Sequence, residues 1–124
     1  MLIGLKQSVL GLLLLVGGPE KIAPQHAAGI FCETQPQIES IFDLWQHQGK
    51  QLPEAVSLVN ASAKTSACVF EKIYMIDSEL VNRVDSQGKV YGVYKLFAMA
   101  PLTPGTTVST TVYAVIELPR EAAM

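Results

Sequence analysis

Cys32 and Cys68 are the only cysteines in this chain. They stand 36 positions apart and bracket its clearest helix pattern, so the pair sets the first constraint on any fold. Thr34 follows Cys32 closely and has Gln37 three residues later, the Thr-x-x-Gln spacing of a capping box. Pro36 falls in the first turn, where a missing N–H costs little. Ile38, Ile41, Phe42 and Trp45 then recur at i, i+3, i+4 and i+7, one apolar helical face, with Glu39, Ser40, Asp43 and Gln46 elsewhere on the wheel. Gly49 supplies a C-terminal stop. These signals predict a helix over 34–48. A second, shorter helix opens at Pro53-Glu54, carries Leu52, Ala55, Val56 and Val59 on its apolar stripe, and ends near Asn60 to Ala63.

From Ala67 the period changes from 3.6 to 2. Cys68, Phe70, Lys72, Tyr74 and Ile76 alternate with Val69, Glu71, Ile73, Met75 and Asp77, which reads as a strand. Residues 79–84 form a weaker strand candidate, and Asp85-Ser86-Gln87-Gly88 a turn. Lys89–Met99 is the next strand. Pro101, Pro104 and Gly105 mark a loop, and Thr106–Leu118 a long last strand ended by Pro119. Gly29–Cys32 is a short apolar arm, either strand or buried segment.

Residues 1–28 read as a signal peptide: Lys6, then the apolar run Ser8–Val16, then Gly17-Gly18-Pro19, with small residues at Ala27-Ala28-Gly29 suited to cleavage. The run is shorter than the roughly 20 residues of a membrane span. An uncleaved anchor or a buried apolar helix is the other reading. Cys32 follows Ile30-Phe31 rather than the small residues that a lipid-modified cysteine requires. Cleavage after Ala28 leaves residues 29–124, 96 of the 124, as a single domain. The expected architecture is α+β, with two N-terminal helices packed on a three- to four-stranded antiparallel sheet and one disulfide.

Apolar residues make up 49% of the chain and charged ones 16%, a balance that excludes disorder. The charge of −2 becomes −3 when Lys6, Lys21 and Glu20 leave, with 7 of 9 basic and 10 of 11 acidic residues retained. No Lys/Arg cluster exists to neutralise phosphates, so nucleic acid is not an expected partner. The membrane is expected to be met only through the signal segment.

An even cysteine count in an exported chain suggests a Cys32–Cys68 disulfide tying the helices to the sheet. By the chain-entropy argument such a bridge stabilises by about 3–4 kcal/mol. The alternatives are two buried free thiols, or redox or metal chemistry. A thioredoxin-type site needs Cys-x-x-Cys and a zinc site three or four ligands, and neither pattern occurs.

No catalytic residues, cofactor or metal site are assigned. Of the two histidines, His26 lies in the expected signal and His47 near the helix C-terminus, where it suits the dipole. Glu39 and Asp43 make a solvated acidic face. Glu71 and Asp77 fall on one side of a strand but roughly 20 Å apart, too far to act together. Asn60-Ala61-Ser62 matches a glycosylation acceptor, relevant only in a eukaryotic secretory pathway. Tyr91 and Tyr94 lie on opposite strand faces, and one or other is expected to contribute to a binding surface on a free sheet face or edge, with Tyr74 and Tyr113 as further aromatic surface. The partner would be an envelope protein or a small ligand, with a subunit role in an envelope assembly as the alternative, and a small carboxylate enzyme as a further one.

The pattern Ile30-Phe31-Cys32-Glu33-Thr34, a helix with Ile38, then Ala55-Val56-x-x-Val59-Asn60 and Ala67-Cys68-Val69 resembles a group of short exported bacterial proteins of uncharacterised function, over roughly residues 29–76. The resemblance implies a periplasmic setting and a paired Cys32/Cys68. It carries over no catalytic residue.

Overall fold

A computed structural model describes residues 22–103 and 105–119. The element order is β1 (Gln25–Cys32), α1 (Gln35–Gln46), α2 (Leu52–Ala63), β2 (Cys68–Ser86), β3 (Lys89–Thr103) and β4 (Thr106–Leu118). The four strands form an antiparallel sheet in that order, closed into a barrel where β1 returns to β4 at the single pair Cys32–Tyr113. The expected order of two N-terminal helices ahead of the sheet is therefore wrong. A full strand precedes the helices, and the boundary expected after Ala28 falls inside it. The apolar run Ser8–Val16 lies outside the described residues. Ala27-Ala28-Gly29 read as the small-residue end of a signal, yet these residues are strand, and Ala27 packs against the interior cluster. Ile22, just ahead of β1, is buried in the same cluster, and its N–H donates to the buried Ser78 Oγ at 2.9 Å.

The helices form where the local signals place them. Thr34 caps α1 through the complete capping box with Gln37, and α2 carries Pro53 in its first turn. Strand β2 is longer than its two expected pieces. It runs unbroken for 19 residues because two register shifts, between Met75 and Asp77 and between Leu80 and Asn82, each take up one extra residue. Each such bulge swaps which side chains face inward. Ile73 and Met75 point into the barrel cluster, and Leu80, of opposite parity, packs there too. Past the second shift Val84 packs on the helix side instead. The β2–β3 hairpin turns on Gln87 and Gly88, both with positive φ (53° and 79°), the conformation of a two-residue type I′ turn.

Two apolar clusters result. The barrel interior is filled by Phe31 of β1, Ile73 and Met75 of β2, Tyr94, Leu96 and Ala98 of β3, and Ala114 and Leu118 of β4. Space is tight enough that a Cβ on Gly92 would stand 2.6 Å from the Tyr94 ring and 3.0 Å from Leu80. Outside the barrel, Ile38 and Ile41 of α1 and Ala55, Val56 and Val59 of α2 cover Cys32, Cys68 and Val93. Full burial of one such aliphatic side chain stabilises by about 1.5–3 kcal/mol. Polar ties hold the helices in place: Asn82 Nδ2 donates to Glu39 Oε2 at 3.1 Å, the Ser86 hydroxyl to Gln46 Oε1 at 2.9 Å, and Gln87 Nε2 to the Gln46 carbonyl at 3.2 Å.

Candidate binding surface

Cys32 and Cys68 face each other across β1 and β2, with Cα atoms 4.0 Å apart, and form a disulfide. Both are buried beneath the two helices. The bridge sits at the one pair through which β1 also reaches β4. Asn60 of α2 completes the junction: its side-chain NH₂ donates to the Cys68 carbonyl at 2.9 Å, and its side-chain oxygen accepts from the Cys68 N–H at 2.8 Å. The Asn60 amide in the apparent glycosylation pattern is thus committed to the fold. A disulfide suggests an oxidising, extracytoplasmic environment. No described helix is long and apolar enough to cross a membrane.

Tyr91 and Tyr94 do lie on opposite faces of β3, but neither contributes exposed surface. Tyr94 is 0% exposed inside the barrel, and Tyr91 is 4% exposed beneath α1. Tyr91 meets the Phe42 ring edge-on at 4.9 Å and Trp45 at 6.1 Å. Burial, followed by the Glu117 carboxylate, raises its pKa. The expectation failed because alternation along an isolated strand cannot show that a helix covers one face while the sheet closes over the other.

The aromatic residues left in the open are Phe70 (55% exposed), Tyr74 (40%) and Phe97 (45%). All three belong to the outer face of the barrel, since they alternate with the interior residues Ile73, Met75, Leu96 and Ala98. Tyr74 stands opposite Met99, and Phe97 two residues along β3 stands opposite Asp77. Tyr74 and Phe97 are therefore diagonal neighbours, roughly 7–8 Å apart at the backbone. His26 of β1 pairs with Tyr74 and places its ring 4.9 Å away. The bulge at Ile76 decides the polar part of this face: it turns Asp77 outward beside Phe97 and lets Ser78 take the inward position that holds Ile22. Asp77, Glu79, Lys95, Phe97 and Thr111 line an open depression of about 380 Å³ there. One sequence sign of this face existed. Lys72 shares the phase of Phe70 and Tyr74, and a lysine in mid-strand marks the solvent side.

Glu71 and Asp77 do not lie on one side of β2. Glu71 keeps the phase of Ile73 and Met75, whereas the bulge sends Asp77 to the outer face. Both are exposed. The other acidic group, on α1, is spoken for as well. Asp43 accepts from His47 Nδ1 at 2.8 Å and Gln48 Nε2 at 2.9 Å, and these hydrogen bonds lower its pKa. It borders an open groove of about 510 Å³ between α1 and α2, with Glu39, Ser40, Leu58 and Ser62. No three His, Cys, Asp or Glu side chains among the described residues group as metal ligands. No family model, curated protein or solved structure matches the chain.

Proposed function

We propose that this chain is a small exported module of the cell envelope that acts by binding, not by catalysis, and that its contact surface is the outer barrel face carrying Phe70, Tyr74 and Phe97. One observation carries the reading: three large aromatic side chains stand exposed on a sheet face that the helix pair leaves bare. Exposed aromatics of this size, with charged groups at the margin, are the composition of protein contact surfaces. Asp77, Glu79 and Lys95 supply that margin. The partner is an envelope protein, or a small ligand held against Phe97. The disulfide supports an extracytoplasmic location, and the likeness to short exported bacterial proteins supports the periplasm. Export would then release a chain that begins ahead of Ile22, because Ile22 and Gln25–Ala28 are part of the barrel.

The test places a photo-crosslinking amino acid at position 97 in one variant and at the exposed Ser57 of α2 in another, with both expressed in their native envelope. A discrete crosslinked species from position 97 alone, lost when Tyr74→Asp is added, is the expected result. Equal products from both positions, or a product indifferent to Tyr74→Asp, would reject this surface.

A further inference from the structure

The barrel closes incompletely, and its unpaired edges differ in how they are protected. Strand β1 is in ladder register with β4 only at Cys32–Tyr113, so Thr106–Val112 of β4 pairs with β3 on one side and with no described strand on the other. Residues 68–73 of β2 likewise have no β3 partner, and neither do 100–103 of β3 on the side of β2. An open edge offers unpaired N–H and C=O groups to any passing strand, and proteins usually blunt it with charge, proline or a bulge. The β2 edge carries Glu71 and Lys72, and the β3 edge carries Pro101 with a register shift beside it. The β4 edge has none of these. Its sequence, TTVSTTV, holds six β-branched residues in seven, with no charge, glycine or proline, the composition that favours strand pairing.

We infer that Thr106–Val112 is a homodimerisation edge, and that a second copy of this chain pairs with it antiparallel about a two-fold axis at Ser109. The segment fits itself. Centring the axis on Ser109 brings all seven residues opposite one another, with Thr106 facing Val112, Thr107 facing Thr111, and Val108 facing Thr110. No like charges meet across this register. A two-fold contact uses the same patch on both copies, which a self-complementary edge provides. Main-chain hydrogen bonds supply the affinity, as in strand addition generally. The axis stands perpendicular to the sheet, so the outer faces bearing Phe97 come to the same side of one continuous sheet. The inference is independent of what that face binds.

A seven-residue edge buries less than a standard interface, so the dimer is weak, with a Kd between about 1 µM and 1 mM. Sedimentation equilibrium of the disulfide-bonded protein reads this directly. Ser109 is exposed, so S109K sets two lysines against each other across the axis without touching the core. S109K is expected to weaken the dimer at least tenfold with an unchanged thermal melt, and T111K, two residues from the axis and facing Thr107 of the other copy, to weaken it as well. S109C is expected to crosslink two chains under mild oxidation, while S57C on α2 does not. A protein that stays monomeric up to about 1 mM, a dimer indifferent to both lysines, or equal crosslinking from S109C and S57C would overturn the assignment.

Discussion

The barrel interior and the helix-covered face are both well buried, yet they are assembled by opposite means. The helix side is built from neighbours in sequence. A capping box starts α1, a 3.6-residue stripe aims Ile38 and Ile41 at the sheet, and the Asn60 amide ties α2 to β2 beside a disulfide that joins strand to strand, not helix to sheet as expected. The interior has no such fastenings. Phe31, Met75, Leu96 and Ala114 come from four different strands, and they meet only once every register is in place. Local order can therefore form first on the helix side, whereas the interior is gained all at once or not at all.

The largest way to break the symmetry between the two regions is at the N-terminal edge of the barrel. A chain beginning at Gly29 keeps both helices, both cysteines and the whole helix layer. It loses buried Ile22 and four of the eight β1–β2 pairs, Gln25 to Ala28. That chain is expected to show no cooperative melt by circular dichroism, while one beginning at Ile22 melts as the longer protein does. Similar melts from both would mean that the interior does not depend on β1 as its packing implies.

The disulfide sharpens the comparison from the other side. Replacing both cysteines with serine is expected to lower stability by about 3–4 kcal/mol, the chain-entropy value for a 36-residue separation, read from denaturant midpoints. The loss should be uneven. Hydrogen exchange in α1 and α2 should quicken more than in β3, because the bridge joins β1 to β2 and so closes the stretch of chain that carries both helices, while β3 is held by strands on both sides. A uniform quickening would mean that the two clusters open as one unit.

The same contrast explains what could be read in advance. The helix positions, the Gln87-Gly88 turn and the last strand follow from rules that act over a few residues, and the cysteine pair follows from count and setting. The barrel does not. Nothing in Met75-Ile76-Asp77 announces a bulge, yet that one extra residue puts Ser78 inside, Asp77 outside, and Glu71 and Asp77 on different sides. The burial of Tyr91 depends on Phe42 and Trp45, 49 and 46 positions earlier. The strand ahead of the helices is hard to read because Ala27-Ala28-Gly29 also has the small residues of a processing site, and only the pairing of Gln25–Cys32 with β2 shows that this stretch forms a strand.

The smallest effect concerns Tyr91, where the helix layer closes over the sheet. Its phenol is shielded first by burial and then faces the Glu117 carboxylate, and both raise its pKa above the ordinary tyrosine value. A raised folded-state pKa means that the folded protein holds the proton more tightly than the unfolded chain. The stabilisation is therefore fully present below the unfolded value of about 10, and is lost as pH rises through the folded one. Other tyrosines and the lysines titrate in the same range, so the informative quantity is a difference between two proteins. Urea midpoints of the native protein should fall more steeply above about pH 10 than those of Tyr91→Phe, and the two should run parallel near pH 8. Glu117→Gln, which removes the second cause and leaves burial intact, brings the folded value closer to the unfolded one and should make the divergence smaller. Curves that stay parallel throughout would mean that water reaches the Tyr91 hydroxyl freely, and that α1 covers the sheet more loosely than the Phe42 and Trp45 contacts indicate.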